Sequence, residues 1–325
     1  MAPAAAVSTS LGDVLLITHR PEPARQRFDT AHTLYADLHD DAGRTRALRK
    51  RGDAESALRR WVDAHASYSE ALALMQQVGD VESRIDLTLR LAAVEGALAH
   101  ADAARALFNE TQRLAAAGEA ATQARVWLQV ADFEVAAAQS GSAQRAYERA
   151  ITLAGAARDG GLEARALRHR ARYERQIGRV ETACGTVELA VRAARARSAS
   201  AAEALSHLDA AAVAAQLHDE QAARDQYGTA QTIYAQQRHS IGAARVALGL
   251  GDLEAGMGRS EAARTSYALA LQLAREADHV GLQIDALDRL THLMATQDQQ
   301  GAGELGQRAE ALRREAFGAA AQGAA

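Results

Sequence analysis

Apolar positions along Ile241–Glu276 fall into two runs of helical period, divided at Gly258-Arg259-Ser260. In the second run Ala263, Tyr267, Ala270 and Leu273 stand at steps of four, three and three, which draws one face of a helix. In the first, Leu248, Gly251, Leu253 and Met257 trace a looser stripe, with Gly251 small enough to admit another part of the chain. Neither helix can bury its stripe alone, so the pair needs neighbours of the same kind.

The chain supplies them. Stepping back from Ala263 by forty residues meets Ala223, Ala183 and Ala143, then Ala104 after a step of 39, then Ala64 and Ala24. Four residues after each column alanine stands Phe28, Tyr68, Phe108, Tyr147, Val187, Tyr227 or Tyr267. Seven after comes Ala31, Ala71, Thr111, Ala150, Ala190, Ala230 or Ala270; ten after comes Leu34, Leu74, Leu114, Leu153, Ala193, Ile233 or Leu273. Twelve before it a small residue recurs as Gly52, Ala92, Ala131, Ala171, Ala211 and Gly251. Small, aromatic, small and aliphatic columns at this period are the mark of stacked helical hairpins. The pattern predicts an all-α, right-handed superhelical solenoid of antiparallel helix hairpins, with six full units beginning near 42, 82, 122, 162, 202 and 242.

These columns resemble the tetratricopeptide repeat family in its longer bacterial form of about forty residues, over roughly Leu15 to Ala316. The resemblance implies a concave groove lined by the first helix of each hairpin, and a protein or peptide as partner. The proline that often ends the family's second helix is missing, since the only prolines are Pro3, Pro21 and Pro23. Turns such as Val78-Gly79-Asp80 are expected to take over its role. Residues 1–8 read as a loose tail, and Leu11 to Thr18 as a shortened first helix. The unit from Gln283 loses the alanine and tyrosine columns and shows Arg308, Arg313, Arg314 and Glu315, as a capping unit would. Residues 317–325 read as a disordered tail.

Composition narrows the function. A net charge of -4 gives no global pull toward nucleic acid or membrane. The single cysteine, Cys184, excludes a disulfide framework and fits a reducing compartment. Val14-Leu15-Leu16-Ile17 is too short to span a bilayer, so the expected location is the cytoplasm. No two histidines lie three or four apart, so no helix face offers a histidine pair to a metal. Gly301-Ala302-Gly303-Glu304-Leu305-Gly306 spells a dinucleotide fingerprint but follows no strand, and is read as a loose turn. No cofactor and no catalysis are expected.

Two charged patterns remain. Nine residues before the column alanine stand Glu55, Glu95, Glu134, Glu174 and Glu254, with Ala214 as the gap. A carboxylate at a packing position must be paired. Arginines near the starts of first helices (Arg46, Arg84, Arg125, Arg165, Arg245) are the expected partners, each reaching back to the glutamate of the preceding unit, as Arg165 to Glu134. On the first helix of the fifth unit, Arg165, Arg168, Arg172 and Arg175 share one face beside His169, without interleaved acids. Arg46, Arg49 and Lys50 are similarly placed, and Arg125 and Asp132 complete the candidate groove set.

Arginine forks suit carboxylates and phosphates, so an acidic partner is expected. The lysine and asparagine clamp of the family's chaperone-binding members is absent, because Lys50 and Asn109 are the only residues of their types. The sequence thus reads as a peptide-binding scaffold. The alternatives are a ligand-gated regulator and a self-associating protein pairing through its end units.

Overall fold

The computed structural model describes residues 2–75, 80–295 and 299–318. Among these the helices are α1 (Ala2–Ile17), α2 (Pro21–Asp37), α3 (Asp41–Ala57), α4 (Trp61–Met75), α5 (Val81–Ala97), α6 (Ala101–Ala115), α7 (Ala120–Ala136) and α8 (Ser140–Ala156). They continue with α9 (Gly160–Gln176), α10 (Val180–Ala196), α11 (Ser200–Gln216), α12 (Glu220–Gln236), α13 (Ser240–Gly256), α14 (Ser260–Glu276), α15 (Val280–Met294) and α16 (Gln299–Phe317). The described residues contain no strand.

The helices sort into two compact units, and the division falls inside α8. One comprises residues to Ala146 together with the chain end from Arg314; the other runs from Tyr147 to Arg313. Within each, consecutive helices pack as antiparallel hairpins. First helices also touch the next first helix, α1 with α3 and α5 with α7 in one unit, α9 with α11, α13 and α15 in succession in the other. The first helices therefore form one continuous layer in the second unit, and in the first α3 and α5 are joined by the Arg49–Asp86 and Asp53–Arg90 ion pairs.

The sequence columns are the core. Ala24, Ala64, Ala104, Ala143, Ala183, Ala223 and Ala263 are all at 0% exposure, and the small column seven residues on is equally closed. The aliphatic column ten residues on is mostly half-buried. The residue after it closes the hairpin instead, as Tyr35, Ala115, Ala154, Ala194, Tyr234 and Ala274.

Helix ends repeat every twenty residues without proline and with little glycine. Residues with φ of 49° to 63° close the turns at His19, His39, Arg59, Ala99, Ala138, Arg158, Ser198, His218, Arg238 and Asp278, with Gly178 and Gly258 at equivalent places. The left-handed conformation costs a non-glycine residue about 1–2 kcal/mol. It is held by a backbone bond from the following residue to the last turn, as Arg60 N–H to Glu55 O at 2.9 Å and Arg259 N–H to Glu254 O at 2.9 Å. Gly160 and Gly161 sit inside the first turn of α9, capped by Asp159, which accepts from Leu162 N at 2.9 Å. The expected turn at 78–80 lies largely outside the described residues.

Three expectations need correction. Residues 2–8 are not a loose tail: α1 spans sixteen residues, with Ala5 and Ser8 buried and Ser8 Oγ donating to Arg27 O at 2.8 Å. Alanine favours the helix there, and Pro3 sits in its first turn, where a missing N–H costs nothing. Gly301–Gly306 lies within α16 rather than in a turn. Phe317, placed in the disordered tail, ends α16 and packs edge-on against His19 with ring centroids 5.6 Å apart. Residues 319–325 lie outside the described residues.

Candidate functional site

The layer of first helices is stitched by a charge ladder absent from the sequence reading. A residue eleven before one column alanine meets the residue fourteen before the next, 37 positions later: Asp13 with Lys50, Asp53 with Arg90, Arg172 with Asp209, and Asp252 with Arg289. Arg289 reaches both Asp252 oxygens, at 2.7 and 3.2 Å. At two rungs a tyrosine of the same hairpin joins. Tyr68 Oη donates to Asp53 at 2.7 Å, and Tyr267 Oη to Asp252 at 2.9 Å. Burial pushes Asp53 above the ordinary carboxylate range, against the pull of Arg90 and Tyr68. The tyrosine rings reach the aspartates by lying over glycine. A Cβ on Gly52 would stand 2.5 Å from the Tyr68 ring, and one on Gly251 2.3 Å from that of Tyr267.

The α9 arginines are drawn into this ladder. Arg168 is buried at 7% exposure and donates through Nε to Asp209 of α11 at 2.6 Å. Arg172 reaches the same carboxylate through Nε at 3.0 Å and Nη2 at 3.2 Å. Burial pulls Arg168 below the ordinary guanidinium range, and Asp209 acts against that. The face is thus not a row of mutually repelling free cations, because Asp209 interleaves from the next helix. Removing Arg168 would strip a buried acid of one of its two partners and should destabilise the fold. Arg165 is exposed and Arg175 half-buried, and neither has a hydrogen-bond or ion-pair partner among the described residues. His169 and Asp132 stand at ladder positions, and both are engaged in polar or electrostatic contacts.

The other candidates gather in a cleft of about 670 Å3 between α3, the end of α4, and the starts of α5 and α7. Leu74, Met75, Ile85 and Leu89 give it an apolar wall, and Arg46, Arg49 and Arg125 line it with Asp41, Asp80, Glu82 and Asp86. Most of these charges are committed. Arg49 meets Asp86 at 3.2 Å, Arg125 meets Glu82 at 2.7 Å, and Asp41 holds Arg44 at 2.9 Å. Asp80 caps α5 by accepting from Ser83 N at 2.8 Å. Arg46 alone among the cleft's cations has no hydrogen-bond or ion-pair partner among the described residues, and it is exposed. Lys50, tied to Asp13, is not part of the cleft lining.

The glutamate column is paired, but not by the expected arginines. At three of its members the partner is the residue just after the column alanine of the preceding hairpin, on its second helix. His65 Nε2 meets Glu95 at 2.9 Å, Arg105 Nε meets Glu134 at 3.6 Å, and Arg224 pairs with Glu254. Neighbours supplement them: His100 Nδ1 lies 2.8 Å from Glu95, Arg170 Nε meets Glu174 at 2.8 Å with Thr186 Oγ1 donating at 2.7 Å, and Ser67 donates to Glu55. Arg25 and Glu55 hold the same register and feel each other's charge. Where Ala214 replaces the acid, the residue at the partner register is Cys184, so acid and base are lost together. Burial and Glu188 push the Cys184 thiol up, which disfavours the nucleophilic thiolate.

No group of three or more metal-ligating side chains occurs among the described residues, and no described helix is long and apolar enough to cross a membrane. No protein-family model matches the sequence, and no curated protein matches it. Solved structures do share its architecture. Aspartyl phosphate phosphatase F from Bacillus subtilis superposes with a TM-score of 0.59 at 11% identity, covering 90% of this chain and 76% of that one. A Rap protein complexed with Competence and Sporulation Factor gives 0.54 at 12% identity, covering 97% and 99%. The apo quorum sensor NprR from B. thuringiensis gives 0.56 at 12% identity, covering 95% and 87%, and NprR in complex with its cognate peptide NprX gives 0.51. Identities this low carry the fold and nothing finer. By fold, this chain is a tetratricopeptide-like repeat protein of stacked helix hairpins.

Proposed function

We propose that the chain is a non-catalytic scaffold that binds a protein or peptide segment along its first-helix layer, seated in the cleft between α3, α5 and α7. The cleft carries the reading: an apolar wall beside charges that are each held by an ion pair or a hydrogen bond, save Arg46. A peptide side chain would rest on Leu74, Met75 and Leu89 while a carboxylate meets Arg46. The acidic preference rests on that guanidinium, not on net charge, since the cleft's four acids outnumber its three arginines. The neighbours solved with Competence and Sporulation Factor and with NprX are in keeping with a peptide ligand. The quorum-sensor neighbour favours, as a second reading, a regulator whose peptide changes its conformation.

Titration with acidic and basic peptide pools of matched apolar content tests the proposal. Arg46→Ala should weaken the acidic pool by about tenfold, within the range of a charge-assisted hydrogen bond. Leu89→Ser should weaken both pools, and added salt should erode only the Arg46-dependent part. Because Arg46 is exposed and unpaired, its removal should leave the unfolding midpoint in place. Equal binding of both pools, indifferent to Arg46→Ala, would return the arginine to the solvated surface.

A further inference from the structure

The outward face of α1 is apolar where the end of a helical stack is ordinarily polar. Val7, Leu11, Val14 and Ile17 are 66%, 39%, 54% and 67% exposed. Ala4, Val7, Leu11, Val14 and Thr18 follow one another at steps of three, four, three and four, the seam period of paired helices. The opposite face, through Ala5, Ser8 and Gly12, is buried against the array. The only charged side chain within α1 is Asp13, which is tied to Lys50.

We infer that this stripe is a self-association surface, and that its occupant is α1 of a second copy of the chain. Three observations select the occupant. The seam carries no charge, so the same face can meet itself about a two-fold axis without repulsion, as an isologous contact requires. The last helix does not offer a complementary apolar face, because α16 exposes Glu304, Arg308, Arg314 and Glu315. An end-to-end contact with it would strip water from those charges. Within α1 no cation flanks the stripe, so the helix itself carries none of the basic residues that seat an amphipathic helix on anionic lipid.

In an antiparallel pairing the two Leu11 side chains fall within about one turn of the axis, with the valines on either side of them. One helix pair covers less than the ~800 Å2 per partner of a standard stable interface. The dimer is accordingly weak and depends on concentration.

Sedimentation equilibrium of the full chain across a concentration series tests it. The mass should rise from 34.4 kDa toward twice that value. Leu11→Glu and Leu11→Lys should each stay monomeric with unchanged helical circular dichroism. Mixed in equal amounts, the two variants should recover association, because opposite charges then face each other at the axis. Should a Leu11 variant unfold, Val14→Ser, at a more exposed site, should still weaken the dimer by about tenfold. A wild type monomeric throughout, association unaffected by Leu11→Glu, or a mixture that fails to reassociate would each overturn the inference. Peptide titration of the monomeric variant separates this surface from the cleft, since loss of the dimer should leave peptide affinity unchanged.

Discussion

The glycines under tyrosine rings make a sharp test of packing, because one substitution should act with opposite sign at two sites of the same unit. Glycine inside a helix costs about 0.5–1 kcal/mol relative to alanine. At Gly228, in α12, a new Cβ would meet nothing within 4 Å, so Gly228→Ala should recover that amount. At Gly251, in α13, the same methyl would stand 2.3 Å from Tyr267 Cε1 and 2.4 Å from Cδ1. The ring would have to retreat by about 1 Å to reach ordinary contact, in an interior packed at crystal density. It is 4% exposed, and its hydroxyl is held by Asp252 at 2.9 Å. Overpacking of this kind costs about 1–3 kcal/mol, which exceeds the helix gain. Gly251→Ala should thus destabilise by about 0.5–2 kcal/mol. Thermal unfolding followed by circular dichroism reads both, at ~2–4 °C per kcal/mol or less in a chain of this length. The chain holds two ways of accommodating a methyl at this spacing: Ala171 is followed by Val187, and Ala211 by Tyr227, whose ring lies instead over Gly249, where a Cβ would stand 2.5 Å away. In a Tyr267→Val background Gly251→Ala should therefore become neutral or stabilising, a coupling visible in a double-mutant cycle. Equal shifts for the two glycines, or an undiminished cost beside Val, would refute the packing argument.

Two further outcomes follow from the buried charges. Glu254 is 5% exposed and paired with Arg224 across hairpins, with Arg259 Nη1 at 3.4 Å; Glu254→Gln and Arg224→Gln should each lower the unfolding midpoint and show about 1–2 kcal/mol of coupling in a cycle, whereas additive losses would dissolve the pair. His32 is held below its ordinary pKa of 6.5 chiefly by burial, against the pull of Glu70 and with Arg51 and Arg44 adding to the shift. The folded state thus binds its proton less readily than the unfolded chain, so stability is full above 6.5 and declines as pH falls from there through the lowered value. His32→Gln should flatten the midpoint across that window, and an unchanged slope would assign it to other groups.

The fold was legible because each hairpin repeats one packing problem. A small residue must recur wherever two helices touch, and an aromatic wherever one ring fills the gap, so identity and spacing carry the same information. The charges were harder to read. Forty residues is the period of the columns, but the ladder joins positions 37 apart and the glutamates find partners about thirty back. Both steps mix two helix registers, so neither shows when like positions are aligned. The Arg165–Glu134 pairing failed because it sought the cation on the next first helix, when Arg105 lies on the preceding second helix at 3.6 Å. The α9 face was read without Asp209 for the same reason, since its interleaving acid sits on α11. α1 was cut short because the first residues of a chain are expected to be loose, whereas Ala5 and Ser8 are buried and tie them down.

What the ladder fixes also leaves a neighbouring register without an architectural role at some of its positions. At four rungs the positions eleven and fourteen before the column alanine carry matched charges, each answered by the other on the neighbouring first helix. At two rungs both members are neutral, Ala93 with Gln129 and Ala212 with Gly249, so a rung can lose its charges together but an unanswered charge is avoided. Those residues are therefore tied to architecture. One turn earlier, eighteen before the alanine, the succession is Arg46, Asp86, Arg125, Arg165, Leu205, Arg245 and Asp285. Here Arg46, Arg165 and Arg245 are exposed and have no hydrogen-bond or ion-pair partner among the described residues. Burial supplies no reason for a cation at these sites, and neither does an ion pair. A long charged side chain that the fold does not use costs little when free and gains a charge-assisted bond when a carboxylate arrives. Arg46, Arg165 and Arg245 are for that reason the positions where substitutions should alter binding while leaving stability alone, and the charged ladder positions are where the reverse should hold.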